Sequence, residues 1–383
     1  MRTRLSNSDV IALTAFRQAL HRAPEVSGAE AGTARAVVAE LMKSRPDRLL
    51  TGLGGHGVAA IWEGAEPGPT VLIRCELDAL PILETGTVAH RSDVPGKAHL
   101  CGHDGHMAIV AGVARGLARQ KPRRGRAVLL FQPAEEDGSG AAAVIADPAF
   151  AQIRPDLALS LHNYPGLALG QAVVRPGPAN CASRGIRIRL TGRTAHAAQP
   201  ETGLSPGPAL AQLIARLPGL GKGGPVTDPA FSLVTVTHAR LGEPAFGIAP
   251  AEAELWATLR TQTDAGMAAL VAATEAAVAE AAERLGTSLS YHDIFTACTN
   301  APEAVAVLRA ALAAEAIPEG DTEVPMRASE DFGRFGALAP AAMLLLGAGE
   351  ASPSLHNSDY DFPDSLIPVG AALFLRCLAD QLG

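Results

Sequence analysis

The strongest constraint on the fold is a set of four apolar, strand-like runs, each followed by polar residues of the kind that bind metals or substrates. The runs and the residues that follow them are 70–75 with Asp78, 127–131 with Glu135 and Glu136, 157–161 with His162, and 342–346 with His356 after a glycine-rich loop. In open α/β sheets, ligands bind outside the carboxyl ends of the strands. We therefore expect these polar residues to lie along one edge of a single sheet.

Helical patterns separate the strand-like runs. Apolar residues recur at helical spacing in 8–22, 32–43, 106–120, 302–315 and 365–382. Alternation of buried strands and helices is typical of a parallel sheet that is covered on both faces. The sequence predicts an α/β catalytic domain with a mainly parallel sheet.

The middle of the chain has a different pattern. Residues 182–291 are predicted to form a strand (185–190), a helix (206–217), two strands (231–238 and 253–260), a helix (264–285) and a strand (288–291). A βαββαβ order is a compact α+β unit in its own right. We expect a lid domain at 182–291, inserted between two parts of the catalytic domain at 1–181 and 292–383.

Composition excludes several classes of protein. The net charge of −7 and the absence of a dense Lys/Arg run argue against a nucleic-acid partner. No stretch approaches 18 uninterrupted apolar residues, so no membrane span is expected. The five cysteines are scattered, and the N-terminus has no apolar run of signal-peptide type, so a cytoplasmic protein with reduced thiols is expected.

The densest group of ligand-type residues is His-Leu-Cys-Gly-His-Asp-Gly-His at 99–106. Cys101 and His103 are two residues apart, so on an extended segment both side chains point the same way. A thiolate and an imidazole on one side form half of a transition-metal site. A polar loop with one buried cysteine is the alternative interpretation of this stretch.

The motifs farther along the chain favour the metal site. Adjacent carboxylates at a buried strand end repel each other, so Glu135 and Glu136 indicate function: one to bind a cation, the other to act as general base. Asp78 is interpreted as orienting a ligand imidazole, although such residues also cap helices or turns. The candidate metal ligands are Cys101, His103, Glu136, His162 and His356.

Five protein ligands exceed the three that a single catalytic zinc uses, and they suit two metal ions about 3.5–4 Å apart. The mixture of thiolate, imidazole and carboxylate leaves Mn, Zn, Co and Ni open. A lone histidine is more often structural than a ligand. His162 and His356 are different because each follows a strand that is predicted to reach the same edge.

Six strings occur in an order that resembles the di-metal amidohydrolase family of hippurate hydrolase, auxin-conjugate hydrolases, aminoacylases and related carboxypeptidases. They are HRAPEVSGAE, RCELDALP, HLCGHDGH, FQPAEEDGSGA, GRTAHAAQP and LHNSDYDFPD, from about His21 to the C-terminus. The resemblance implies a hydrolase of N-acyl amino acids or small peptides with two divalent metal ions per chain. It also implies a homodimer formed through the lid.

The resemblance assigns roles residue by residue. It implies that Cys101 is a shared ligand, that Glu135 is the general base, and that Asp78 orients a ligand. His196 resembles the lid histidine that polarises the scissile carbonyl, either within its own chain or across the dimer, and Arg260 resembles a residue that receives the substrate carboxylate. Asn163 and Asn357 follow ligand positions and are interpreted either as orienting or substrate-binding residues or as turn residues.

Three positions depart from the family pattern. Cys75 stands where alanine is usual, Ser205 where an aspartate commonly precedes proline, and Gly247 where many members carry a substrate-contacting asparagine. These departures leave the metal chemistry intact and make the substrate uncertain.

Three alternatives to the N-acyl amino acid hydrolase are open at this point. The nearest is a dipeptidase or carboxypeptidase with the same metal site. A cysteine amidase would use Cys101 as nucleophile and keep its activity after EDTA treatment. A non-catalytic binding protein would have no need for Glu135.

Overall fold

The computed structural model describes residues 4–383; residues 1–3, at the start of the predicted first domain segment, lie outside the described residues. The chain divides into two compact units. The first comprises the chain up to Ala179 together with Thr299–Thr322 and Asp331–Gly383, and the second comprises Asn180–Cys298 and Glu323–Glu330.

The chain before residue 180 supplies most of the first unit. Its helices are α1 (Asn7–Arg22), α2 (Ala31–Met42), α3 (His103–Arg119) and α4 (Gly140–Ala146). Its strands are β1 (Arg48–Leu53), β2 (Gly57–Glu63), β3 (Glu66–Glu76), β4 (Arg124–Gln132), β5 (Leu157–Pro165), β6 (Ala172–Val173) and β7 (Gly177–Asn180), with a 3-10 helix at Pro148–Gln152.

The middle of the chain forms the second unit. Its elements are β8 (Ala182–Thr191), β9 (Ala195–His196), α5 (Gly207–Arg216), β10 (Ser232–Leu241), β11 (Ile248–Ala249), β12 (Glu252–Thr261), α6 (Asp264–Ala281) and β13 (Gly286–Phe295), with 3-10 turns at Pro200–Thr202 and Leu217–Leu220. The chain then continues through β14 (Cys298–Asn300), α7 (Pro302–Ala314), a 3-10 helix (Asp331–Ala337), β15 (Ala341–Gly349) and α8 (Leu366–Leu382).

The sheet of the first unit has the order β1-β2-β4-β3-β5-β15-β6. Its four central strands, β4, β3, β5 and β15, are parallel, and the outer strands pair antiparallel. The apolar runs of the central strands are buried because helices cover them. This confirms the predicted α/β fold class, and the strand ends at Glu76, Gln132 and Pro165 share one edge.

Helices α1, α3 and α8 pack against one another on this sheet. Helix α1 begins with a reciprocal cap: the Ser6 hydroxyl accepts a hydrogen bond from the Asp9 amide (3.2 Å), and the Asp9 carboxylate accepts one from the Ser6 amide (2.8 Å). Helix α3 begins at His103, three residues earlier than the apolar periodicity predicts. The first turn of α3 therefore carries a candidate ligand.

The second unit has a four-stranded antiparallel sheet in the order β10-β12-β8-β13. With β9 and β11 as short additions, its main elements follow the predicted βαββαβ order of an α+β unit. Ile186, Ile188 and Leu190 alternate into a core shared with Leu213 of α5 and Val278 of α6. Arg187 and Arg189 alternate to the opposite face of the strand.

The extent of the second unit differs from the predicted 182–291. It also takes in Glu323–Glu330, because the Cys181 amide donates a hydrogen bond to the Met326 carbonyl (3.1 Å). Cys181 and Met326 are more than 100 residues apart in the chain, and a contact over that distance leaves no local pattern in the sequence. The function of this unit as a lid stays a prediction.

Candidate metal centre

The tight turn that places Cys101 and His103 depends on Gly102. This glycine has a left-handed backbone (φ +89°), and a Cβ built on it would lie 2.4 Å from Oδ1 of Asn163. Only glycine adopts this conformation readily and leaves this space free. The chain can therefore pass from the loop into α3 with one ligand candidate, Cys101, directly before this glycine and the other, His103, directly after it.

His103 and His162 are held in the same way. Nδ1 of His103 lies 2.9 Å from the backbone carbonyl of Asp78, and Nδ1 of His162 lies 2.8 Å from the backbone carbonyl of Asn163. A carbonyl only accepts hydrogen bonds, so in both rings Nδ1 carries a proton, and in the neutral ring Nε2 is the nitrogen with the free lone pair. Nε2 of His103 is buried without a hydrogen-bond partner among the described residues, as expected for a ligand atom whose partner is a cation.

The candidate ligands form two overlapping groups. The first ligand group is Cys101, His103 and His162, and the second ligand group is Cys101, Glu136 and His356; within each, the ligand atoms lie within 4.8 Å of one another. Sγ of Cys101 is 3.5 Å from Nε2 of His162, and Oε2 of Glu136 is 3.6 Å from Nε2 of His356. Two groups that share a thiolate fit two neighbouring divalent ions.

Glu135 lies beside both groups. Its Oε2 is 3.9 Å from Nε2 of His103, and its Oε1 accepts a hydrogen bond from the Asp331 amide (3.4 Å). The preceding residue, Ala134, has a left-handed backbone (φ +50°), and so has His356 (φ +67°). Such non-glycine residues are held in place by their surroundings and are enriched at functional sites.

Asp78 supports the site through several of its atoms. Its carboxylate accepts hydrogen bonds from the Ser27 hydroxyl (2.7 Å) and the Glu136 amide (2.9 Å). The predicted orientation of an imidazole is made by its backbone carbonyl, because its Oδ1 is 3.7 Å from Nδ1 of His103. Asp78 thus contacts the segments of two candidate ligands.

The surroundings of Cys101 suit a ligand better than a nucleophile. Burial raises the pKa of this thiol well above its usual value, and the Glu136 carboxylate adds to the effect. A coordinated cation deprotonates such a thiol, whereas a cysteine nucleophile needs a pKa lowered by the protein itself. Burial also lowers the pKa of His162 to about 3, which keeps its imidazole neutral.

A buried polar chain under the site was not anticipated from the sequence. Nδ1 of His106 pairs with Glu76 (2.7 Å), its Nε2 with Oδ1 of Asn163 (2.5 Å), and Nδ2 of Asn163 donates to the Tyr360 hydroxyl (2.5 Å). Both ends of the Asn163 amide are thus occupied in a fully buried side chain. This favours a positioning role for Asn163 over the predicted contact with substrate. The sequence did contain one signal for this network: His103 and His106 are three residues apart, so on a helix they lie on the same face.

His196 and Arg260 belong to the second unit. His196 is exposed on β9, and its Nδ1 accepts a hydrogen bond from the Ala198 amide (3.0 Å). Arg260 is half-buried and donates from Nη1 to the Arg327 carbonyl (2.9 Å) and to the Ser329 hydroxyl (3.1 Å). The ligand candidates, Glu135, Asp78 and Asn163 all lie in the first unit.

The structure accounts for Ser205, and nothing in it explains the glycine at 247. Ser205 accepts a hydrogen bond from the Gly207 amide (3.2 Å), the type of bond that an aspartate at this position would make. A Cβ built on Gly247 would meet nothing within 4 Å, so the space for a larger side chain is open there.

The parallel sheet and the two candidate ligand groups that share Cys101 are the arrangement expected of a metal-dependent hydrolase. A family model described as peptidase family M20/M25/M40 matches residues 72–380, and the chain belongs to this family. It is an enzyme that hydrolyses amide bonds with divalent metal ions, for which the described residues provide the two ligand groups. The resemblance noted in the sequence is thereby confirmed.

Named relatives extend over most of the chain. An N-acetyldiaminopimelate deacetylase of Enterococcus faecalis is 29% identical and covers 91% of this chain and 92% of its own length. The IAA-amino acid hydrolase ILR1-like 2 of Arabidopsis thaliana is 29% identical, with 94% of this chain and 82% of its own length covered.

The fold has solved counterparts. The YXEP protein of Bacillus subtilis, a dinuclear metal-binding peptidase of the M20 family, superposes with a TM-score of 0.81 at 23% identity. The superposition covers 98% of this chain and 99% of that chain. No helix within residues 4–383 is both long and apolar enough to cross a membrane.

Proposed function

We propose that the enzyme removes the acyl group from N-acyl amino acids or closely related small amides, with two divalent ions bound to the two ligand groups. The observation that carries the proposal is the position of Glu135, a buried carboxylate next to both groups. Relatives named as a deacetylase of an N-acetyl amino acid and as a hydrolase of amino acid conjugates support this substrate class.

The reaction adds water across the amide bond. Two divalent ions held by these residues would acidify water and polarise the amide carbonyl. Glu135 accepts a proton as the water oxygen bonds to the carbonyl carbon, and it returns that proton to the nitrogen as the carbon–nitrogen bond breaks. Asp78 holds the His103 ring and the Glu136 backbone in place during these steps.

The second unit would supply the remaining groups. We assign His196 to stabilising the negative charge that develops on the carbonyl oxygen and Arg260 to binding the substrate carboxylate. The exposed imidazole of His196 is available for such a contact. Closure of this unit as a lid would exclude water from the reacting groups.

The same unit is proposed to form a homodimer. The antiparallel pair β10 and β12, with the segment that connects them, carries the exposed apolar side chains of Leu241, Phe246, Ile248 and Trp256, of which Phe246 is fully exposed. Clustered exposed apolar side chains mark interaction surfaces.

The test is complementation between His196→Ala chains and Glu135→Gln chains that have been dissociated and mixed. Recovered activity in mixed dimers supports a site completed by the partner, and no recovery in proven mixed dimers assigns His196 to its own chain.

A cytoplasmic location is also proposed. The five cysteines, all buried, are free thiols in the described residues, which fits a reducing compartment. Fractionation of the host cell, with detection by an antibody, would test this location; recovery outside the cytoplasmic fraction would contradict it.

The deciding experiment is a substrate screen with the full-length chain. Metal-free protein is loaded with Mn²⁺, Co²⁺, Zn²⁺ or Ni²⁺, and amine release is followed from N-acetyl and N-benzoyl amino acids and from dipeptides. We expect metal-dependent turnover of N-acyl amino acids. Faster turnover of dipeptides would favour the dipeptidase or carboxypeptidase alternative, and full activity after EDTA treatment would favour a cysteine amidase.

A further inference from the structure

A second group of buried charges surrounds Arg17, a fully buried residue of α1. Its guanidinium lies 2.8 Å from Oδ2 of Asp104, pairs closely with Asp361 and lies 3.6 Å from Oδ1 of Asp364. The aromatic ring of Phe362 packs under it, 5.9 Å from the guanidinium carbon to the ring centroid. One arginine thus holds carboxylates from two chain segments that are more than 250 residues apart.

The first of these segments carries His103. Asp104 follows it directly, in the first turn of α3, and its Oδ1 accepts a hydrogen bond from the Gly105 amide (3.0 Å). Its Oδ2 also lies 2.8 Å from Nδ1 of His21, the next turn of α1 after Arg17. The position of this first turn is therefore set by α1 as well as by the loop that precedes it.

The second segment, residues 355–364, carries His356 and contains no helix or strand. Single contacts hold it: the His356 amide donates to the Leu100 carbonyl (2.9 Å), and the Thr85 amide donates to the Ser358 carbonyl (2.7 Å). Asp361 also pairs with His90 (3.0 Å). A segment without a ladder of backbone hydrogen bonds depends on such contacts for its position, and the left-handed backbone of His356 needs surroundings that hold it.

We propose that Arg17 is a positioning residue of the metal centre: by pairing with Asp104 and Asp361 it fixes the segment of His103 relative to the segment of His356, and so keeps the two ligand groups at the separation that two ions require. The inference rests on the proposed ligand assignment. Residues that orient metal ligands typically change metal affinity about 10- to 100-fold when replaced.

Arg115 is a matched control for a purely structural role. Like Arg17 it pairs with two carboxylates, here Asp9 of α1 (3.3 Å) and Glu40 of α2, but it lies in the later part of α3, twelve residues after His103. Neither carboxylate lies in a segment that carries a candidate ligand. Loss of Arg115 pairing should therefore destabilise the fold and leave the metal centre unchanged.

The test measures Zn²⁺ binding to the metal-free full chain by competition with a chelator of known affinity, and unfolding by urea in parallel. The variants are Arg17→Lys, Asp361→Asn and the control Arg115→Lys. Lysine keeps the charge but is a point donor that cannot pair with both carboxylates in fixed geometry. Asp361→Asn weakens the pairing of Arg17 with the segment of His356 and leaves its pairing with Asp104 unchanged. It is the milder change because the Asp361 carboxylate is partly exposed (27%).

We expect Arg17→Lys to weaken Zn²⁺ binding about 10- to 100-fold. Asp361→Asn should weaken one of the two binding steps and leave the other unchanged, and excess Zn²⁺ should restore two ions per chain. Arg115→Lys should lower the urea midpoint and bind Zn²⁺ as the wild type does.

Wild-type affinity in both Arg17→Lys and Asp361→Asn would overturn the inference, as would equal losses in Arg17→Lys and Arg115→Lys. If Arg17→Lys fails to fold, the Zn²⁺ affinities of Asp361→Asn at its two binding steps decide whether the inference holds. A wild-type chain that binds no Zn²⁺ would refute the proposed function itself, which distinguishes that failure from failure of the role of Arg17.

Discussion

Replacement of Gly102 by alanine should affect stability and the metal centre together. A non-glycine residue in the left-handed conformation costs about 1–2 kcal/mol. The new Cβ would lie 2.4 Å from Oδ1 of Asn163, so the asparagine must move away from His106 and Tyr360. Overpacking of this kind costs about 1–3 kcal/mol. The free energy of unfolding should therefore fall by about 2–5 kcal/mol.

The matched control is Gly170→Ala. Gly170 has a similar left-handed backbone (φ +79°), but a Cβ there would meet nothing within 4 Å. Urea unfolding of the metal-free proteins should show only the backbone cost of about 1–2 kcal/mol for Gly170→Ala and a larger cost for Gly102→Ala.

Zn²⁺ affinity should also fall in Gly102→Ala alone, because displacement of Asn163 moves the carbonyl that holds His162. Equal stability losses in the two variants, with unchanged Zn²⁺ affinity in both, would refute the reasoning that the space at Gly102 determines the geometry of the site.

Three further outcomes are expected. Glu135→Gln should lower kcat about 10²- to 10⁴-fold with metal content retained, whereas Glu136→Gln should lose metal in elemental analysis; equal metal loss would mean that the roles are misassigned. Removal of metal by EDTA should abolish turnover and lower Tm, and Mn²⁺ or Zn²⁺ should restore both, because binding to the folded state stabilises it. Hydrogen bonds from Arg187, Trp256 and Arg189 outweigh burial and lower the pKa of Glu254 to about 2. The stabilisation that the Glu254 carboxylate contributes is therefore complete above about 4.5, its pKa in the unfolded chain, and is lost as the pH falls towards 2. The difference in unfolding free energy between wild type and Glu254→Gln should shrink over that range, and a constant difference would contradict the assignment.

The central strands were predictable because a strand buried on both faces appears as a continuous apolar run. The runs 70–75, 127–131, 157–161 and 342–346 all lie within the four parallel strands. The outer strands β1 and β2 were not recognised. β1 is half-exposed and contains a glycine, so its pattern does not differ from that of a loop. β2 is as buried as the central strands and has the same kind of apolar run, so its signal was present in the sequence and was missed.

The prediction for Asn163 shows where reasoning from the sequence ended. Its position after His162 left an orienting, a substrate-binding and a turn role open, and only the fold shows that its amide lies in the core, between His106 and Tyr360. Tyr360 is almost 200 residues away in the chain, and no local pattern connects the two. Arg17 and its carboxylates form a second contact of this long-range kind.

The sequence by itself determined the chemistry, because the ability to bind a divalent ion or to move a proton belongs to side-chain types. A cysteine, three histidines and two glutamates favoured a metal-dependent hydrolase over the cysteine amidase and the binding protein that the sequence left open. The tertiary structure decided which atoms face the ions. Backbone carbonyls of Asp78 and Asn163 leave the Nε2 atoms of His103 and His162 as the ligand atoms. Every residue has a carbonyl, so its position becomes informative only when the chain has folded.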